Sequence, residues 1–539
     1  MGTFDYVIVG AGSAGCVLAH RLTQDGRHRV LLLEAGGSDR RLRVQVPIGY
    51  GLAFHDGALN WRLHTEPEAA LAGRAGYWPR GKVLGGSSSI NAMVYVRGQA
   101  ADFDRWRDEG LPGWGWVDVL PYFRRMESFA SQPDAHRGHD GPLRISEVSA
   151  QVHPLCRDFL CAGQQLGLPD AGGFNGASAE GLGLYEITMS GGRRMSSARA
   201  YLHPAMPRPN LQVLTRARAT QIEFDGSRAV ALHFMHRGRQ QRVAVDRELI
   251  LSAGAVHSPL LLQASGVGPG ALLQSLGIGV LHHRPAVGRH LQDHLCIDHL
   301  YRARVPTLND QLRPWTGRLR AAWRYLATRG GPLSLSVNQG GGFVRSRPDA
   351  PRPDLQLYFS PLSYTRATPG KRRLMSPDAF PGFLLSAQPC WPASRGHLQL
   401  RSTDLEAPPL IVPNSLGAAQ DLDALVDGAL WLRRLAATPA LAAVIDAELQ
   451  PGAAVQSREQ LAEDIRQRAS TVFHPVGTCR MGGDVAQSVV DARLRVHGLQ
   501  GLRVIDASVF PHITSGNTNA PTMMVAEKGA DLVLQDAAA

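Results

Sequence analysis

Three glycines in the pattern Gly10-x-Gly12-x-x-Gly15, followed nineteen residues later by Glu34, are the first residues of this chain whose types and spacing could do chemistry. They suit a dinucleotide. One glycine permits the tight turn, one lets bare backbone approach a pyrophosphate, and one lets a helix pack closely on a strand, with Ser13 and Ala14 in the same turn. The helix that follows points free N–H groups and the positive end of its dipole at the phosphates. Glu34 stands where a carboxylate accepts hydrogen bonds from a ribose 2′-OH, which disfavours a 2′-phosphate and so NADP. The positioning elements are equally local. Phe4 to Val9 is an apolar, largely β-branched run suited to a buried parallel strand, Val17, Leu18 and Leu22 suit a helix packed on a sheet, and Arg29 to Leu33 leads a second strand into Glu34 and Ala35.

Two later segments return to this arrangement, Glu248 to Ala255 and Leu502 to Ala507. Each is a strand ending in small residues, so Ala253, Gly254, Asp506 and Ala507 can lie against a cofactor that spans the crevice, which suits a long, extended FAD. A further loop, Gly85-Gly86-Ser87-Ser88-Ser89, offers bare backbone to a ring or phosphate and runs straight into the apolar segment Ile90-Asn91-Ala92-Met93-Val94.

The fingerprint, the block Pro79 to Gly98, the block Gly254 to Gly268, and the pair Phe473 to Gly482 and Ser515 to Thr522 occur in order along the whole chain. Together they resemble the glucose-methanol-choline (GMC) family of FAD oxidoreductases, in its choline-dehydrogenase-like and alcohol-dehydrogenase branch. The resemblance implies that Val83, Asn91, Ala92, Met93 and Val94 line the flavin, and that a backbone contact to adenine falls near Ala219. Some members attach FAD through a histidine at the position of Ile90; isoleucine cannot, so non-covalent FAD is expected. The resemblance also implies two domains woven from alternating segments of a mixed α/β chain. A Rossmann-like FAD-binding domain would take residues 1–149, 205–292 and 470–539. A substrate-binding domain on an antiparallel sheet with helices would take 150–204 and 293–469.

Oxidising an alcohol requires removal of an O–H proton and transfer of a hydride to flavin N5, so the protein must supply a base. Of twenty histidines, His474 stands before Pro475 in a Gly/Thr-rich loop and matches the family's catalytic histidine. A neutral imidazole accepts a proton at working pH. Asn517 matches its partner, an amide that orients the hydroxyl and stabilises developing alkoxide. Gly516-Asn517 is alternatively a turn dipeptide. Thr518 to Thr522, with Asn519, Pro521 and Thr522, leads into a last helix over Met523 to Leu534 whose N-terminus would face the flavin. The same scaffold hosts FAD-retaining lyases and decarboxylases, and fold alone does not choose among them. The retained His474/Asn517 pair favours dehydrogenation.

The net charge of +11 comes almost wholly from arginine, since Lys82, Lys371 and Lys528 are the only lysines. The arginines are scattered, which argues against nucleic acid. Arg302 to Arg373 holds thirteen arginines but only Asp310, Asp349 and Asp354 as acids, poor support for the carboxylate-lined aromatic cage a choline cation needs. Neutral primary alcohols, aliphatic or aromatic, are therefore the expected substrates, with choline oxidation or an O₂-using oxidase as alternatives. A quinone, cytochrome or dye is the expected electron acceptor. Trp315, Leu319, Trp323 and Leu326 recur at helical spacing among Arg318, Arg320 and Arg324; such a stripe packs on a core or, alternatively, touches an anionic membrane. Six cysteines without a CxxC pair suggest neither disulfides nor a metal site. The absence of an 18-residue apolar run, and a first strand beginning at Phe4, point to a cytoplasmic protein, peripheral to the membrane if the stripe is a contact.

Overall fold

The computed structural model describes residues 2–130, 134–364 and 376–538; Arg366, Lys371, Arg372 and Arg373 of the arginine-rich stretch lie outside them. β1 (Phe4–Val9) and β2 (Val30–Glu34) run parallel with Val7 opposite Leu31, joined by α1 (Ser13–Leu22). Both strands are buried nearly throughout, which is why they read as continuous apolar runs rather than alternating ones. Helix α2 (Ala100–Asp108) contributes Phe103 and Trp106 to the same core. β3 (Leu211–Thr215) extends the sheet beside β2. β4 (Ala217–Asp225), β5 (Arg228–His236) and β6 (Arg239–Leu251) then form an antiparallel meander.

β6 joins the two halves because it is long. Its first part pairs antiparallel with β5, and its last part pairs parallel with β1, placing Leu249 opposite Val7. The order is β3-β2-β1-β6-β5-β4, with Leu502–Val504 parallel on the far side of β6. The strand expected over Glu248 to Ala255 thus stops at Leu251, and Gly254 already opens α3 (Gly254–Ala264).

The second sheet is wholly antiparallel. β7 (Leu295–Ala303), β8 (Gly340–Val344), β9 (Leu355–Ser360), β10 (Gly382–Pro389) and β11 (Ile445–Gln450) assemble in the order β8-β9-β10-β7-β11. It has its own core, in which Phe159 stacks on Phe359, and Leu432 and Leu435 pack beside Leu385. Helix α4 (Trp315–Thr328) inserts between β7 and β8, and α5 (Ala419–Ala436) brings Trp431, Leu432 and Leu435 to this core.

The spaced stripe on α4 does not pack on a core. Trp315 is 71%, Leu319 59%, Trp323 73% and Leu326 70% exposed. The helix is held instead through buried Ala321 and Tyr325, whose hydroxyl donates to Gly192 O. No helix among the described residues is long and apolar enough to cross a membrane.

The chain finally returns to the first sheet with α6 (Asn519–Ala538), which lies against α1 and is pinned by Arg21 to Glu527 and Asp531, both at 2.7 Å. This helix begins four residues before the expected Met523 and takes in Pro521. Proline fits a first turn because its missing N–H would have no helical acceptor there.

Candidate active site

One cleft of about 2030 Å³ opens where the two sheets meet. That exceeds the roughly 300–1,000 Å³ of an ordinary small-ligand pocket, and leaves room for a dinucleotide together with a substrate. Its floor is the end of the first sheet. Gly10, Gly12, Ser13 and Ala14, then Glu34 and Ala35, Ala219, Ala253 and Gly254, and Asp506 and Ala507 all reach the wall. They converge because every parallel strand of the sheet ends on this side.

The glycine turn has a stated cause at each position. Gly10 has φ +98°, and a Cβ there would lie 2.6 Å from Ser252 O. A Cβ on Gly15 would lie 1.9 Å from Gly10 O, so this glycine serves the contact between α1 and β1 and sits behind the wall. A Cβ on Gly12 would meet nothing nearer than 3.8 Å, so packing does not require glycine there. It faces open cleft, at the N-terminus of a helix with no side-chain cap. A second helix N-terminus, that of α6, is tied to it by Ser13 Oγ donating to Asn519 Oδ1 at 2.8 Å. Glu34 accepts Ala11 N at 3.0 Å and Gly36 N at 2.7 Å, and burial pushes its carboxyl up to about 7 against those two bonds. An uncapped helix end at Gly12 for phosphates and a buried carboxylate with spare lone pairs suit FAD, so the residues fit the cofactor.

Asn91, Ala92, Met93 and Val94 also line the cleft, as do Asn519 and Thr522. Val83, Gly85, Ser88 and Pro521 do not. Val83 packs with Val44 and Ile90, and Ser88 Oγ donates to Gly85 O while accepting from Ser197 N. Val83, Gly85 and Ser88 thus brace the loop from behind, while Pro521 is buried in the first turn of α6. At Ala219 the β4–β5 register shifts, interrupting the strand ladder beside the cleft.

His474 Nε2 lies 3.1 Å from Asn517 Nδ2, across 43 residues of sequence. The histidine loop is held from several sides: His474 N donates to Asp293 Oδ1 at 2.7 Å, Phe473 N to Thr471 Oγ1 at 2.7 Å, and Arg80 Nη2 donates to Phe473 O at 2.6 Å. Phe473 takes φ +71°, a left-handed conformation for a bulky residue. Such strain persists only where surrounding bonds over-determine it, and it recurs at functional sites. Burial, and then the neighbouring His294 and Arg80, hold the His474 imidazole well below its ordinary pKa, so it is neutral at pH 7. Burial raises Asp293 to about 6, partly offset by Thr471 and Arg80.

The asparagine loop hangs on Asp102 of α2, which accepts Ser515 N at 2.8 Å, Ser515 Oγ, Gln99 N at 2.9 Å and Trp391 Nε1 at 2.7 Å. Asp102→Asn replaces an acceptor by a donor that faces other donors. Each buried donor left unpaired costs about 1–3 kcal/mol, so a lower melting temperature and slower turnover are expected together; unchanged melting and turnover would show that Asp102 does not hold the loop.

Asp293, His294, Gln356 and Asp102 had no sequence signal, because each acts through a partner more than 150 residues away. Five of the six cysteines are buried, and Cys161 is exposed. Among the described residues no group of three or more His, Cys, Asp or Glu is placed to hold a metal.

A mixed sheet with a glycine turn and acidic strand end, facing a second, antiparallel sheet across a cleft, is the architecture of a dinucleotide-binding protein in two parts. Residues 4–296 match the N-terminal domain and residues 392–526 the C-terminal domain of GMC oxidoreductases. The chain is 41% identical over 536 residues to the alcohol dehydrogenase (acceptor) of Pseudomonas putida, covering 99% of this chain and 96% of that protein. It is 41% identical over 546 residues to the mitochondrial choline dehydrogenase of Homo sapiens, covering 98% and 89%. Among solved structures it is similar to pyridoxine 4-oxidase from Mesorbium loti, with a TM-score of 0.88 and 32% identity over 98% of both chains. The chain belongs to the GMC oxidoreductase family, and is an FAD-dependent enzyme of that family.

Proposed function

We propose that the protein oxidises a primary alcohol, aliphatic or aromatic, to the aldehyde, with His474 as the base. The observation that carries this is a neutral, buried His474 beside Asn517 on the wall of the cleft that holds the glycine turn. FAD, when bound, supplies the acceptor of the hydride that leaves the alcohol carbon. The hydroxyl O–H bond breaks as the carbonyl forms, and its proton goes to His474 Nε2. Asn517 donates to the hydroxyl oxygen and holds it in place. FAD would be held without a covalent bond, because Ile90 has no nucleophilic atom. In this reading residues 1–149, 205–292 and 470–539 form the flavin-binding part, and 150–204 with 293–469 shape the substrate side.

Choline is a second reading, favoured by Asp298, Tyr358 and Tyr364 lining the same cleft and by similarity to choline dehydrogenases. Anaerobic mixing with primary aliphatic alcohols, benzyl alcohol and choline separates the two. Bleaching of the flavin by the neutral alcohols is expected. Bleaching by choline alone selects the second reading, and by none of them removes both. Reoxidation with a soluble quinone is expected to outpace reoxidation with O₂; the reverse order would identify an oxidase.

The exposed face of α4 supports a peripheral contact with an anionic bilayer, from which a quinone would collect the electrons. Two tryptophans and two leucines are presented to solvent with arginines on either side, the pattern of an interfacial helix. Binding to anionic but not zwitterionic vesicles is expected, weakened by salt and by Trp323→Ser. A protein that stays in the supernatant with both vesicle types rules this contact out.

A further inference from the structure

We propose that a hydrogen-bonded chain, ended on the main-chain carbonyls of Cys390 and Leu357, fixes the tautomer of His474 so that its Nε2 carries the lone pair beside Asn517. His294, Gln356 and Tyr185 are its positioning residues. The inference rests on the reading of His474 as base, and deepens it by stating what makes the correct nitrogen available.

The argument starts at one carbonyl. Cys390 O can only accept, and His294 Nε2 lies 2.9 Å from it, so this nitrogen carries the proton of the ring. A neutral imidazole has one N–H, which leaves His294 Nδ1 as an acceptor. The atom facing it at 3.0 Å is His474 Nδ1, which must therefore donate. His474 Nε2 is then bare. Reversing both rings would point the lone pair of His294 Nε2 at the lone pairs of Cys390 O, an unmade bond in a fully buried place. Both rings are neutral at pH 7, since burial lowers His294 to about 4 and holds His474 well below its usual range.

The other end gives the same result independently. Tyr185 donates its only hydroxyl proton to Leu357 O at 2.7 Å, so its oxygen accepts from Gln356 Nε2 at 3.0 Å. Gln356 Oε1 is meanwhile the acceptor for Gln388 Nε2 at 2.9 Å, and the one Tyr358 hydroxyl proton is shared between it at 3.0 Å and Gln388 Oε1 at 3.2 Å. The second N–H of Gln356 lies 3.3 Å from Asn517 Oδ1, which turns Asn517 Nδ2 towards His474. A donor meets His474 Nε2 from this side, and a lone pair awaits it from the other. The two ends are anchored in different segments, β9 and the loop after β10, and both are needed to hold the orientation.

When substrate enters, Asn517 Nδ2 turns its donation from His474 Nε2 to the hydroxyl oxygen; Nε2 then takes the hydroxyl proton while Nδ1 keeps its donation to His294, so the positive ring is already paired on its far side. No ring flip is needed. This is the role an orienting group plays behind a catalytic histidine, where a wrong tautomer removes most of the rate while leaving the shape intact.

The test uses FAD-loaded protein labelled with ¹⁵N histidine. Ring signals absent in His474→Gln belong to His474, and their proton couplings identify which nitrogen is bare. Nε2 bare and Nδ1 protonated is expected. His294→Leu should mix the two tautomers and slow anaerobic flavin reduction by about 10²-fold with little change in substrate affinity. His294→Gln can both donate to Cys390 O and accept from His474, so it should restore most of the rate. Gln356→Leu should loosen the same preference from the other end, and serves if His294→Leu does not fold. A protonated Nε2 in the wild type, or a His294→Leu protein with unchanged ring signals and rate, overturns the proposal. Should His474→Gln reduce its flavin as fast as the wild type, the base reading fails instead, whatever tautomer the spectrum shows.

Discussion

His474→Gln is expected to slow flavin reduction by a primary alcohol by about 10²–10⁴-fold, the usual contribution of a positioned general base, while leaving FAD bound. Glutamine can occupy the space and still accept from the Asn517 amide, 3.1 Å away in the wild type, so the Phe473–Pro475 loop held by Asp293 has no reason to rearrange. What it lacks is a site that takes a full proton. The pH dependence carries the sign. The His474 pKa is pushed down, so the wild-type rate is level through neutral pH and falls as the pH drops through that lowered value, below about 6.5. In the variant that acid limb disappears along with most of the rate. Stopped-flow bleaching between mildly acid and neutral pH reads both, and a variant that keeps the wild-type rate and limb would remove His474 from the chemistry.

Gly15→Ala is expected to abolish FAD retention by pulling α1 away from β1. The added methyl would sit 1.9 Å from Gly10 O and 3.0 Å from its carbonyl carbon. These are backbone atoms, so no rotamer change relieves the overlap. Overpacking a buried contact commonly costs about 1–3 kcal/mol, and a clash against main chain belongs at or beyond the upper end. Helix α1 must then move, and its N-terminus, which faces the cleft at Gly12, Ser13 and Ala14, moves with it. Gly12→Ala separates packing from binding. Its methyl would have nothing nearer than 3.8 Å, so the apoprotein should melt as the wild type does while FAD is lost from a cleft the methyl now enters. Flavin absorbance after gel filtration and apoprotein melting measure the two effects. A Gly15→Ala protein that retains FAD and melts normally would refute the steric account.

The interior of the first sheet was legible because its signals are local. A β-branched run, a glycine turn and an acidic strand end lie within 34 residues, and each property follows from backbone geometry or burial that neighbours in sequence impose. The end of β6 was misread because Ser252 to Ala255 are as small and apolar as a strand end, and only the positive φ of Gly254 shows the turn into α3. The α4 stripe shows the limit of periodicity. Spacing identifies a helical face but not what covers it, and here the covering is solvent.

The sequence by itself determined the family, the mixed α/β architecture and the dinucleotide turn, because these depend on residue type at short separations. Only the tertiary structure decided which expected residues reach the cleft and which, like Gly15, Val83, Gly85, Ser88 and Pro521, do not. It alone brought His294 to His474 across 180 residues and Gln356 to Asn517 across 161. The physical reason is that a hydrogen bond needs one donor and one acceptor at about 3 Å and sets no requirement on their separation along the chain. No spacing records such a pair until folding makes it.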